Sequence, residues 1–278
     1  MVSQKRPENS AIKLASPRGS GPLVLIDADN TLWDTDGVFA EAQLRILAAV
    51  EKAMKLTAST DDRLAFVRGF DQDIAEQHHL GLRYPPRLLI DALAYGLRGV
   101  PLREAVRRAW NDAAYSGIER QIVSEIEHDF LEDISKQPKL LKGVMTGLRE
   151  LASIGATMVV FTEGSRRRIL RSVEYHQLIA FIDRVFEAPK TERMFARVKT
   201  LTKPEQSIYV IGDQLTRDIA PANRAGIPSI YIPGKFQPKW EIETKVQPTF
   251  RAQSFDAATA FLVSRENDAL QDSSHDRL

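Results

Sequence analysis

The chain has 278 residues, 43% apolar and 27% charged, with 38 basic and 37 acidic side chains and a formal net charge of +1. It contains no cysteine, which excludes disulfides, thiolate metal sites and cysteine nucleophiles, and the even charge balance argues against an overall nucleic-acid clamp. No segment offers the roughly 18 apolar residues that cross a bilayer, and the polar start lacks a secretory-type apolar stretch; a cytoplasmic chain of one large or two moderate domains is the expectation.

Residues 1–21 read as a flexible tail. Leu23, Val24, Leu25 and Ile26 then form a continuous apolar run, as in a strand buried on both faces of a parallel sheet. From residue 35 to 137 apolar residues recur at helical spacing: Phe39, Ala42, Ile46 and Val50, then Leu64, Val67 and Ile74 after a Thr60-Asp61 cap. Pro85-Pro86 and Pro101 open two further helices, and a last one holds Ile122, Ile126, Phe130 and Ile134. After Pro138 an alternating pattern predicts a helix ended by Gly155, a buried strand at 157–162, a basic helix at 165–178, a short strand at 183–188, a helix at 191–201, a strand at 207–213, a helix at 217–225 and a strand at 228–234. Strands alternating with helices imply a doubly wound, mainly parallel α/β sheet. The domain reading is a core of 22–34 and 138–264, an inserted all-helical segment of 35–137, and a second flexible tail at 265–278.

Three predicted strands end in polar chemistry. The first ends in Asp27-Ala28-Asp29-Asn30-Thr31, the second in Thr162-Glu163-Gly164, and the fourth in Gly212-Asp213 with Asp218 five residues on. Each alone also reads as a turn or cap residue. In open α/β sheets ligands bind beyond the carboxyl ends of the strands, so neighbouring strands would bring these groups into one crevice. Converging carboxylates repel unless a cation neutralises them, and hard oxygen ligands suit Mg²⁺. A phosphate group fits such a site, with a lysine to balance charge. Lys190, just after the third strand, is the candidate.

These residues resemble the four motifs of the haloacid dehalogenase superfamily: an apolar strand with Asp-x-Asp-x-Thr at Asp27, Asp29 and Thr31; the strand-end Thr162; Lys190; and Gly212-Asp213 with Asp218. The resemblance implies a Rossmann-like core and a helical cap inserted after the first motif. It also implies a Mg²⁺-dependent phosphatase of a small phosphorylated metabolite. In its terms Asp27 is the nucleophile and Asp29 the acid and base. Thr31 helps hold the turn and borders the substrate. Thr162, Gly164 and Lys190 bind the phosphoryl group, with Thr162 and Lys190 also counted as catalytic. Asp27, Asp29, Asp213 and Asp218 hold Mg²⁺, Asp29 through its backbone carbonyl and Asp218 through water or as support for the other ligands. Asp29 favours phosphate chemistry over dehalogenation, because dehalogenating relatives lack a carboxylate at that position. The alternatives are a phosphomutase or phosphonatase, a dehalogenase, or a binding protein without catalysis.

The chain departs from the family pattern at two points. Glu163 stands where many relatives have Asn, and Lys190 sits in a Pro-Lys-Thr setting that leaves Lys199 or Lys203 as substitutes. In the helical segment, His78–Tyr84 with Arg83 reads either as a substrate-facing loop or as an ordinary interhelical connection. The run Arg166-Arg167-Arg168 with Arg171 reads as a solvated face or as a site for a second anion. Trp33 and Trp110 read as packing residues.

Overall fold

A computed structural model of the chain describes residues 21–79, 81–111, 116–242 and 245–275. The tail expected before Gly21, Leu80 of the interhelical loop and the last three residues lie outside them.

In chain order the elements are β1 (Leu23–Ile26), α1 (Thr35–Met54), α2 (Arg63–Gln77), a 3₁₀ turn (Gly81–Arg83), α3 (Pro86–Leu97), α4 (Leu102–Ala109), α5 (Arg120–Ile134), α6 (Val144–Ser153), β2 (Thr157–Thr162), α7 (Arg166–Tyr175), β3 (Arg184–Glu187), α8 (Glu192–Leu201), β4 (Ile208–Gly212), a π turn (Leu215–Ile219), α9 (Ala220–Arg224), β5 (Ser229–Tyr231), α10 (Lys239–Ile242), β6 (Phe250–Arg251) and α11 (Phe255–His275). They form two compact units. One holds the described residues up to Asp34, Lys139–Gln237 and the residues beyond Ile242; the other holds Thr35–Pro138 and Pro238–Ile242.

The first unit is a doubly wound α/β core. Its described strands form one six-stranded sheet in the order β3-β2-β1-β4-β5-β6, with every neighbouring pair parallel. Alternate residues of a strand face opposite sides, which explains the unbroken apolar runs. Val24 and Ile26 of β1, Met158 and Val160 of β2, and Tyr209 and Ile211 of β4 join α6, α7 and α11 in one core cluster. Leu25, Phe161, Ile208 and Val210 join Phe195 of α8 and Ala222 of α9 in the other. From β1 the chain winds outward through β2 to β3, then returns to β4 on the other flank and winds on to β6. The winding therefore reverses between β1 and β4, which places the crevice at their carboxyl ends.

The second unit is helical among its described residues. Its core joins Ile46, Leu47 and Val50 of α1, Val67, Phe70 and Ile74 of α2, Leu89 and Leu93 of α3, Val106 of α4 and Ile126 of α5. The two connections to it run side by side in the first unit: Asp34 N donates to Lys139 O at 2.8 Å and Leu141 N to Leu32 O at 3.0 Å.

Three sequence expectations need correction. The cap of α2 is Asp62, one residue past Thr60-Asp61, because its carboxylate accepts from Ala65 N at 2.8 Å. Residues from 265 onward are not a frayed tail as far as His275, for α11 runs through them. Its apolar stripe is thin, but Tyr209 Oη donates to Glu266 Oε1 at 2.7 Å. Gly147 of α6 leaves the space its early residues fill, since a Cβ there would lie 2.7 Å from Phe255 and Thr259. Pro238–Ile242, expected within the core segment, groups with the helices, where Lys239 N donates to Gln72 Oε1 at 3.1 Å. No described helix is long and apolar enough to cross a membrane.

Candidate active site

Asp27 is the first residue past β1, and its N–H still bonds to the β4 carbonyl of Ile211 at 2.8 Å. The chain then turns sharply. Asn30 adopts a left-handed backbone with φ 58°, a conformation Asn tolerates better than most residues. Leu32 N donates to Ala28 O at 2.9 Å and Asn30 N to Trp33 O at 2.8 Å. The turn leaves Asp27 buried at the strand end, with Asp29 half-buried two residues on. Thr31 is 1% exposed, and its hydroxyl has no hydrogen-bond partner among the described residues, so backbone bonds rather than this side chain close the turn.

Asp213 follows β4 on the adjacent strand. Asp218 comes from the π turn, whose extra residue per turn is a common device at functional sites. Its carboxylate folds back so that Oδ2 accepts from Gln214 N at 3.0 Å, and it lies over Gly212, where an added Cβ would fall 2.3 Å from its Cγ. Carboxylate oxygens of Asp27, Asp213 and Asp218 all lie within 4.8 Å of one another.

Lys190 enters from the end of β3. Its side chain is 7% exposed, and its Nζ donates to Asp27 Oδ1 and, at 2.6 Å, to Asp218 Oδ1. Lys199 does not substitute for it. That amine donates to the carbonyl of Gly226 at 3.1 Å, beyond α9.

Thr162, at the end of β2, is 2% exposed, and its Oγ1 accepts from Gly164 N at 2.9 Å. Glu163, a departure without a role in the sequence, acquires one here. Its Oε1 accepts from the backbone N–H of Lys190 at 3.0 Å, and its Oε2 accepts from Arg217 at 2.5 Å. Donors to Asp29 include both terminal nitrogens of Arg168, with NH1 at 3.0 Å from Oδ1, and Trp33 Nε1 at 3.1 Å. Trp33 is thus a packing residue that also orients a site carboxylate. The basic run was visible in the sequence, but helical phase alone decides that Arg168 points inward while Arg167 is exposed.

Arg83 belongs to the helical unit, in the 3₁₀ turn, with its side chain exposed. In the same loop Tyr84 Oη donates to Asp71 at 2.5 Å, and the rings of His78 and His79 lie 4.5 Å apart. The described residues include no metal-ligating group that contains either histidine.

Electrostatics define what the trio can hold. Burial raises Asp27 from its ordinary 3.8 to about 7, with Asp218 and Asp29 adding to the rise and Lys190 opposing it. Burial, then Asp27 and Asp218, raise Asp213 well above the carboxylate range. Burial opposes charge on Lys190, yet Asp218 and Asp27 hold its ammonium above its ordinary value. When ionised, the three carboxylates and one lysine carry a net −2, the charge a divalent cation cancels. The donors are all hard oxygens, and Asp213 Oδ1 is buried without a hydrogen-bond partner among the described residues, as an oxygen reserved for a ligand would be. The site residues therefore fit a Mg²⁺-type ion.

This combination defines a class: a doubly wound α/β enzyme core with a carboxylate trio and one lysine at its topological switch point. The family model for haloacid dehalogenase-like hydrolases matches residues 22–226, and the chain belongs to that family. Among solved structures it resembles a haloacid dehalogenase-like hydrolase from Xanthomonas campestris (TM-score 0.60, 18% identity, 93% of this chain and 98% of that one). It also resembles a HAD hydrolase from Bacillus subtilis bound to magnesium (TM-score 0.54, 16% identity, 85% and 96%). A third is a Haemophilus somnus protein described as a predicted phosphoglycolate phosphatase (TM-score 0.54, 16% identity, 86% and 96%). At these identities the likeness is one of fold. No match was found among curated protein sequences.

Proposed function

We propose that the protein is a Mg²⁺-dependent phosphatase that hydrolyses a small phosphate monoester through an aspartyl-phosphate on Asp27. The observation that carries the reading is the contact of Lys190 with Asp27 and Asp218 inside a carboxylate trio, with a further carboxylate, Asp29, two residues after the nucleophile. The magnesium-bound relative and the phosphatase-type relative support it at the level of the family.

In this reading Asp27, Asp213 and Asp218, with the backbone carbonyl of Asp29, would hold Mg²⁺, which supplies positive charge to the trio and to the phosphoryl oxygens. A carboxylate oxygen of Asp27 attacks phosphorus in line. The bond from phosphorus to the leaving oxygen breaks, and Asp29 gives that oxygen its proton. Asp29 then takes a proton from water, whose oxygen attacks the aspartyl-phosphate. Inorganic phosphate leaves and Asp27 is regenerated. Lys190 spreads the negative charge that builds on Asp27 and the phosphoryl group, while Thr162 donates to a phosphoryl oxygen beside Gly164. Thr31 borders the same turn. In this reading the helical unit would take the role of the cap, with Arg83 as its candidate for substrate contact. A cytoplasmic location belongs to the same reading, compatible with a chain that lacks cysteine.

The test is release of inorganic phosphate, with Mg²⁺, from a panel of sugar phosphates, nucleotides and phospho-acids. At least one should be hydrolysed, and Asp27→Asn should lose turnover while keeping the wild-type circular dichroism spectrum. Phosphate retained on a rearranged product would mark a mutase instead, and full activity in Asp27→Asn would remove the nucleophile from this reading.

A further inference from the structure

Arg168, packed beside Gly164 of the second motif, is a residue that the four family motifs do not include. The guanidinium meets Asp29 with both terminal nitrogens, the fork geometry that also matches phosphate oxygens. The pair is accessible: the Arg168 side chain is 33% exposed and that of Asp29 29%. Lys190, by contrast, is 7% exposed and committed to two carboxylates. Gly164 lies against these groups and has no side chain to part them. A methyl-sized atom at its Cβ position would lie 3.0 Å from Arg168 NH2, 3.2 Å from Thr162 Oγ1 and 3.8 Å from Asp29 Oδ2. The guanidinium and the Thr162 hydroxyl therefore both pack close against Gly164, with the second carboxylate of the first motif beside them, and a side chain there would have to push them aside.

We infer that Arg168 binds the phosphoryl group of the substrate beside Thr162, and that Gly164, by lacking a side chain, lets the guanidinium and the hydroxyl come close together. The inference rests on the phosphatase reading and adds a residue to it. The guanidinium has five N–H donors, and a dianionic phosphate beside Thr162 draws on those of NH2 in exchange for one of the bonds to Asp29. That exchange loosens the hold on Asp29, leaving one of its oxygens for the leaving group. A dianionic phosphate has the oxygens to span Arg168 and Thr162 together.

The experiment is calorimetric titration of wild-type protein with inorganic phosphate in the presence of Mg²⁺, repeated for Arg168→Met, Arg168→Lys and Gly164→Ala, with thermal melts to establish folding. Arg168→Met should weaken phosphate binding at least tenfold. Arg168→Lys, which keeps the charge but loses the fork, should fall in between. Gly164→Ala should weaken binding by pushing the Arg168 guanidinium away from Thr162. For a hydrolysed monoester, KM should rise in Arg168→Met more than kcat falls. Phosphate binding unchanged in Arg168→Met and Arg168→Lys overturns the inference while leaving the phosphatase reading in place, as does a fall in kcat alone, which would reduce Arg168 to a positioning residue for Asp29. Wild-type protein that neither binds phosphate nor releases it from any monoester removes the parent reading itself.

Discussion

Removing divalent cations should make the stability of the core depend on pH in a way that traces to Asp27. Burial raises its folded-state value to about 7 against an ordinary 3.8. Between those values the folded protein holds a proton that the unfolded chain releases, so stability falls as pH rises and levels off above the folded value. For one such group, the difference between about pH 5 and pH 8 is about 2–3 kcal/mol at ~1.4 kcal/mol per unit. At roughly 2–4 °C per kcal/mol that is about 5–10 °C in Tm. Asp213 and Asp71 shift in the same direction. Lys190 stays charged in both states throughout this window, because its own shift is upward from 10.5. Glu51, Glu163 and Asp256 are held below their ordinary values, so they lose their stabilisation only under more acidic conditions. The assay is differential scanning calorimetry in EDTA across this range, on wild type and Asp27→Asn. The wild-type Tm should fall with rising pH more steeply than that of the variant. Adding Mg²⁺ should flatten the wild-type slope, because a cation bound only by the folded, ionised trio stabilises by mass action. Equal slopes in the two proteins, or a wild-type Tm that rises relative to the variant, would refute the reasoning.

Two substitutions examine how the site is held. Gly212→Ala puts a methyl group 2.3 Å from Asp218 Cγ; it should lower stability by ~1–3 kcal/mol in a denaturant melt and displace Asp218 from Lys190, with loss of turnover. Glu163→Ala removes the acceptor for the Lys190 N–H; kcat should fall about tenfold, the equivalent of ~1.4 kcal/mol, with KM changing less. Glu163→Gln, which keeps an acceptor oxygen, should recover most of that loss in steady-state assays.

The buried strands were legible from the sequence because each is apolar on both faces. A run such as Leu23–Ile26 has few other uses, and the polar residue that ends it marks the rim of the sheet. The helices of the second unit were legible from their spacing and from Pro86 and Pro101. Asp27 and Asp213 were legible because each immediately follows a strand, where backbone direction already aims it at the crevice, and Lys190 and Asp218 because they come within a few residues of a strand end.

What the sequence left open depends on rotation and on distant neighbours. Helix phase turns Arg168, and not Arg167, toward Asp29, across 139 positions in the chain. Glu163 acquires its purpose only when β3 lies beside β2 and presents the Lys190 N–H. β6 is two residues long, too short for any periodic signal. The last helix has a stripe too thin to announce itself, and needs the gap at Gly147 and the hydroxyl of Tyr209 to hold it. Local patterns name the elements and their chemical ends because burial on a face is written every second or fourth residue. The pairings that tune the site are contacts between separate elements, and only packing brings those together.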